Sequence, residues 1–194
     1  MYKKIVLASQ SPRRSQLLEW AEVPFDVMVK QTDEQYPATL PIEEIPVYIA
    51  RNKAIALIAD AAFQHYEKGV PVLAADTIVV LDNKVIGKPV NRQDAIDILT
   101  ALSGNKHLVI TGVVIKYGEH EIAFSDTTAV WFHPLTKEQI EFYVDKYGPY
   151  DKAGAYAIQE WIGVTGISRI EGDFYNVMGL PVSRVVQALQ KIQL

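Results

Sequence analysis

The chain has 194 residues, 49% of them hydrophobic and 22% charged, enough to bury one substantial core but too few for two full-sized enzyme domains, so a single domain over 1–194 is expected. The absence of cysteine excludes disulfides, thiolate zinc sites, iron–sulfur clusters and a cysteine nucleophile, and fits a cytoplasmic protein. A net charge of -4 argues against a broad basic face for a nucleic-acid polymer, and neither a membrane span nor a signal peptide is legible, so no membrane partner is expected.

Ile5 to Ala8 is a short β-branched run, followed by Ser9-Gln10-Ser11-Pro12-Arg13-Arg14 and a helical pattern from Ser15 to Ala21. This reads as strand, tight loop and helix, with Ser11 as N-cap and Pro12 at the first helical position. From Glu43 to Lys68 apolar residues recur every three to four positions, which predicts a long amphipathic helix stopped at Gly69 and Pro71. Val72 to Leu81 is nearly all apolar apart from Asp76 and Thr77, as in a strand covered on both faces. Asp82-Asn83 then suggests a turn into the short strand Val85-Ile86, and Asn91 to Leu102 reads as a helix ended by Ser103-Gly104.

Leu108 to Tyr117 and Glu121 to Phe132 read as neighbouring antiparallel strands joined at Gly118. Thr136 and Gln139 have capping-box spacing ahead of another helix. Beyond Gly148-Pro149, short strands are expected at Tyr156 to Ile158, Ile167 to Ile170 and Phe174 to Val177, with a last helix over Val182 to Ile192. Alternation first and hairpins later predict an α/β protein with a three-layer mixed sheet.

Asp76 is the most informative residue, because a carboxylate inside an apolar strand must be paired, metal-bound or placed at a cleft. A structural ion pair or β-bulge is the plain alternative. Gly87-Lys88-Pro89 follows one hairpin later and supplies a cation. The loop from Ser9 to Arg14 offers amides at a helix start and two guanidiniums suited to phosphate, although arginines at such a place are usually just solvated. Asp151 to Gln159 combines small residues, Lys152 and a glutamine able to read a base edge, or is an ordinary surface loop. Lys53 flanks an apolar helical stripe, where a lysine usually snorkels but can clamp an anion. Asp33-Glu34 is a loop pair suited to a hard cation. The four histidines lack zincin spacing, and serine-elbow, P-loop and dinucleotide motifs are absent from the sequence.

In series, Leu7-Ala8-Ser9-Gln10-Ser11-Pro12-Arg13-Arg14, Ala75-Asp76-Thr77, Gly87-Lys88-Pro89, Leu102-Ser103-Gly104, Asp151-Lys152-Ala153-Gly154-Ala155-Tyr156 and Val177-Met178-Gly179-Leu180-Pro181 resemble the Maf family over nearly the whole chain. The resemblance implies the Maf/ITPase-like fold, a homodimer and a metal-dependent nucleoside triphosphate pyrophosphatase; Trp161 and Tyr147 are candidates for the dimer contact or for the core. Gly154 to Gln159 is similar to the dTTP/UTP branch, with Arg13, Thr77 and Gln159 at its specificity positions and Asp76 at the family's proton acceptor. Ala157 and Glu160 depart from glycines common in relatives.

On that resemblance Ser9, Arg13, Arg14, Lys53, Lys88 and Lys152 are expected to hold the triphosphate, Thr77 and Gln159 the base, and Asp76 with Glu34 a Mg²⁺ or Mn²⁺ ion. The same cut on a modified pyrimidine nucleotide, 7-methyl-GTP or a non-canonical purine nucleotide remains open, as does a non-catalytic nucleotide-binding regulator of septum formation.

Overall fold

The computed structural model describes residues 3–192. Seven strands, β1 (Ile5–Leu7), β2 (Phe25–Val27), β3 (Val72–Leu81), β4 (Lys84–Ile86), β5 (Lys106–Tyr117), β6 (His120–Phe132) and β7 (Ile167–Glu171), form one sheet in the order β2-β1-β3-β5-β6-β7, with β4 on β3. The sheet is mixed: β1 runs parallel to β2 and β3, whereas β4 is antiparallel to β3 and β7 antiparallel to β6. The helices flanking it are α1 (Pro12–Trp20), α2 (Ile45–Ile58), α3 (Arg92–Leu102), α4 (Lys137–Tyr147), α5 (Trp161–Gly166), α6 (Phe174–Met178) and α7 (Val182–Ile192). This is the α/β architecture that the alternation of patterns predicts.

The contacts group into two compact units that divide the chain between Asp76 and Thr77. The first holds the residues up to Asp76, Thr111–Asp126 and those from Gly179 onward. Its core joins Val6 and Ala8 of the β1 segment, Ala50, Ala54 and Leu57 of α2, Val72 and Ala74 of β3 and Val114 of β5, all buried. Gly112 is required by the start of α2, since a Cβ there would lie 2.2 Å from both the Pro46 carbonyl carbon and the Val47 nitrogen. Helix α7 buries Val185, Ala188 and Leu189, the three-to-four spacing that the sequence displays.

The second unit holds Thr77–Ile110 and Thr127–Met178. Helix α3 lays Ala95, Leu99 and Leu102 in its core, α4 adds Ile140, Tyr143 and Val144, and Arg92 spans the two helices through a bidentate bond to Asp145 at 2.6 and 2.9 Å. The capping box at Thr136 and Gln139 forms, and Asn91 caps α3 by accepting from the Asp94 amide.

The structure corrects several local expectations. The helix expected through Lys68 ends at Ile58, because Asp60 turns extended and its side chain accepts from the Ala62 amide, starting a separate 3-10 turn over Ala61–His65. Ser11 occupies the N-cap of α1 beside Pro12, but its hydroxyl caps nothing; the Ser9 hydroxyl instead accepts from the Ser11 amide. Tyr156 to Ile158 is not a strand, because the chain enters it from a 3-10 turn in which Gly154 and Ala155 both have positive φ. Phe174 to Val177 is helical as part of α6, where Asp173 accepts from the Tyr175 amide, a local bond that starts a turn rather than a strand.

Candidate active site

In the first unit β1 feeds the loop at Ser9 and β3 delivers Asp76, the two strands being parallel neighbours with Ala8 donating its amide to the Leu73 carbonyl. Ser9, Arg14 and Asp76 are buried polar residues here. Arg14 accounts for much of the order: its Nη1 donates to Ser9 Oγ at 3.0 Å and to the Ala75 carbonyl at 2.9 Å, and its Nε donates to the Gly179 carbonyl at 2.8 Å. One guanidinium thus joins the residue before Asp76, the β1–α1 loop and the start of the C-terminal segment. Arg13 is half-buried on the first turn of α1.

Asp76 Oδ1 accepts from Lys53 Nζ at 2.6 Å, and Glu34 Oε1 lies 2.7 Å from the same nitrogen. Two carboxylates from different segments therefore converge on one cation. Burial pushes the Asp76 carboxyl above the ordinary aspartate value, while the positive charges of Lys53 and Arg14 act in the opposite direction. A carboxyl whose affinity for a proton is raised by burial and opposed by adjacent cations is suited to general-base work. Among the described residues no cluster of three or more His, Asp or Glu side chains could hold a metal by itself. Two converging carboxylates nevertheless fit Mg²⁺, which characteristically takes one or two protein carboxylates and completes its shell with water and substrate phosphates.

In the second unit Thr77 is half-buried on β3, and Lys88 is exposed after the β3–β4 hairpin. The Gly87 carbonyl accepts from the Gly154 amide at 3.1 Å, so the loops carrying Lys88 and Lys152 are joined main chain to main chain. Gly154 needs its glycine twice over: its φ is +70°, and a Cβ would come within 2.8 Å of a Val79 methyl. Lys152 is buried to 8% exposure and is paired with Asp151 at 2.7 Å and Glu160 at 3.6 Å. Gln159 is exposed in the turn that follows. Beneath this loop, His107 Nε2 and the Tyr156 hydroxyl are 2.8 Å apart in a buried aromatic group with Phe132. Burial lowers the His107 pKa to about 4 and raises that of Tyr156.

A family model for Maf-like proteins matches residues 4–192. The chain belongs to the Maf family. A relative from Cytophaga hutchinsonii is 50% identical over 97% of this chain and 84% of its own length, one from Parabacteroides distasonis 48% identical over 96% and 95%, and one from Bacteroides thetaiotaomicron 46% identical over 97% and 96%. Each of these relatives is named dTTP/UTP pyrophosphatase.

Of the residues expected at the site, the structure bonds Ser9 to Arg14 and both Glu34 and Asp76 to Lys53 in the first unit, and Arg14 also reaches the carbonyl of Ala75, the residue before Asp76. In the second it ties the Lys88 and Lys152 loops and leaves Gln159 outward-facing in its turn. Sequence reasoning does not assign a part to Tyr143, Glu160, Gly163 or the His107–Tyr156 pair. Glu160 alone carries a signal, as a residue where the sequence departs from the pattern it otherwise resembles. Tyr143 reads as an ordinary core aromatic of α4, and nothing in its spacing announces that its hydroxyl reaches the loop after Lys152.

Proposed function

We propose that this Maf protein hydrolyses dTTP and UTP to the monophosphate and pyrophosphate. The observation that carries the reading is the buried Asp76 carboxylate, held at 2.6 Å by Lys53 in a network completed by Arg14 and Glu34; the names of relatives at 46 to 50% identity agree with it. Water attacks the α-phosphorus, its proton passes to an Asp76 carboxylate oxygen, and the bond from that phosphorus to the α,β-bridging oxygen breaks as pyrophosphate leaves. Negative charge builds on the phosphoryl and leaving oxygens, which calls for fixed positive groups.

In this reading Arg13, Lys53, Lys88 and Lys152 supply them together with the Ser9 loop, while Arg14, bonded to Ser9 and to two carbonyls, contributes its charge and keeps that loop in place. Thr77 and Gln159 read the base, whose O4 acceptor beside an N3–H donor matches the paired acceptor and donor of a glutamine amide. Asp76 and Glu34 would hold Mg²⁺ or Mn²⁺, which when bound neutralises phosphate charge and makes water more acidic.

The match over residues 4–192 supports treating the chain as one Maf domain. We further place it in the cytoplasm as a homodimer, without a membrane or nucleic-acid partner; the cysteine-free, acidic sequence accords with this, and no helix among the described residues is long and apolar enough to cross a membrane.

The test is a panel of canonical and modified nucleoside triphosphates, 7-methyl-GTP included, incubated with purified protein and Mg²⁺ or Mn²⁺ while pyrophosphate and orthophosphate are measured separately. Pyrophosphate from dTTP and UTP is expected. Orthophosphate as the first product would move the cut to another bond and overturn the reaction class, and a preference for another base would overturn the substrate.

A further inference from the structure

We propose that Tyr143 and Glu160 form a clamp that positions Gln159 and thereby sets discrimination between pyrimidine bases; the proposal rests on the reading of Gln159 given above. The turn carrying Gln159 runs from Ala157 to Glu160 and is closed by a main-chain bond from the Glu160 amide to the Ala157 carbonyl at 3.1 Å. One phenol grips it at both ends. Tyr143 Oη accepts from the Ala157 amide at 3.1 Å and donates its own proton to Glu160 Oε2. Tyr143 is fully buried on α4, stacked on Tyr147 at a 5.0 Å ring separation, so the grip comes from a rigid element.

Two further contacts restrain the turn. The second carboxylate oxygen of Glu160 lies 3.6 Å from the buried Lys152 ammonium, so the residue that closes the turn also faces that cation. The Ile158 carbonyl approaches Gly163 of α5 so closely that a Cβ there would sit 1.7 Å from the oxygen.

Such restraint has a chemical use. Cytosine presents a donor and an acceptor in the reverse order from uracil, and a glutamine amide, having one of each, satisfies either edge if it is free to shift and turn over. Selection for uracil or thymine therefore needs the carrier of the amide held in one place. Tyr143 touches neither substrate nor reacting atoms in this scheme, and Glu160 acts through the turn; both are positioning residues.

The experiment measures kcat/KM for UTP and CTP, with melting temperature, in full-length Tyr143→Phe, Glu160→Ala, Glu160→Gln and Gln159→Ala proteins with Mg²⁺. Loss of one positioning hydrogen bond is expected to lower the UTP-to-CTP ratio about tenfold in Tyr143→Phe and Glu160→Ala. Glu160→Gln keeps an acceptor for the phenol and should restore most of the ratio. A purely structural role would lower the melting temperature and leave the ratio unchanged. If Gln159→Ala collapses the ratio while Glu160→Ala and a folded Tyr143→Phe stay within about twofold of wild type, the clamp is overturned and the base-reading role of Gln159 stands. If Gln159→Ala itself leaves the ratio unchanged, that role fails and the clamp fails with it. Should Tyr143→Phe not fold, the Glu160→Ala and Glu160→Gln pair decides by the same comparison.

Discussion

Replacing Asp76 by asparagine separates the charge of this residue from its shape. The residue is 9% exposed and its Oδ1 accepts from Lys53 at 2.6 Å; an asparagine oxygen accepts the same bond, and Lys53 keeps Glu34 at 2.7 Å. Burial already raises the Asp76 pKa, which means that its ionised form is disfavoured by folding. Asn therefore changes stability by about 1 kcal/mol in either direction, the scale of one neutral hydrogen bond.

Turnover responds quite differently. Removing a general base lowers the rate by about 10²- to 10⁴-fold, or roughly 3–5 kcal/mol of barrier at about 1.4 kcal/mol per decade. The assay is pyrophosphate release from UTP across pH, paired with thermal melting. Wild-type activity should fall on the acid side as Asp76 takes up a proton, and the variant should lose both the rate and that limb. A folded Asp76→Asn enzyme with turnover within about tenfold of wild type, or with the acid limb intact, would refute Asp76 as the base.

Three other outcomes follow from local geometry. The His107 pKa, lowered by burial to about 4, means that the native state holds a neutral ring; the resulting stability is complete above the unfolded value of 6.5 and is lost as pH falls toward about 4, roughly 3 kcal/mol in all. Urea unfolding at about pH 7.5 and about pH 4.5 should therefore show a smaller pH loss in His107→Gln than in wild type, and equal losses would contradict the assignment. Gly112→Ala places a Cβ 2.2 Å from the backbone at the start of α2 and should lower the melting temperature by on the order of 5–10 °C or prevent folding, whereas Gly87→Ala meets open space and should melt near wild type. Arg14→Lys cannot reproduce the donations to Ser9, Ala75 and Gly179 from one point charge, so it should cost about 2–3 kcal/mol in chemical denaturation despite its retained charge; a loss below about 0.5 kcal/mol would show that the guanidinium geometry is dispensable.

The parts of the fold that the sequence makes legible are those governed by local rules. Val182 to Ile192 has the apolar spacing and preceding proline of a helix and forms α7, and the Thr136–Gln139 spacing becomes a capping box because both hydrogen-bonding partners lie within one turn. The misread segments are those in which a side-chain bond or a left-handed backbone conformation overrides the apolar pattern. The stripe after Glu43 continues in sequence past Ile58, yet the Asp60 side chain bonds the Ala62 amide and starts a new turn. At Tyr156 to Ile158 the small apolar residues suit a strand, but their approach through positive φ at Gly154 and Ala155 turns the chain away from extended pairing. Strand β2 escapes notice for another reason: at three residues, Phe25–Val27, it is too short to display a period.

The legibility of the site follows the same division. A lone Asp76 in an apolar strand is conspicuous because an unpaired buried charge is intolerable, so the sequence itself demands a partner; it does not say that the partner is Lys53, 23 positions away on α2. Arg14 shows the converse. Its place beside Arg13 at a helix start suggests two equivalent phosphate forks, but Arg14 is buried, with bonds to Ser9 and to the carbonyls of Ala75 and Gly179, and the carbonyl acceptors are invisible to any reading of side-chain types. Position within the turn of α1 decides between them: of two adjacent arginines about 100° apart on a helix, only one can face the interior. In the proposed reading Arg14 holds the backbone while Arg13 meets the substrate, and mutation separates the two parts. Arg14→Lys should lower stability, whereas Arg13→Lys should appear chiefly as a raised KM for UTP.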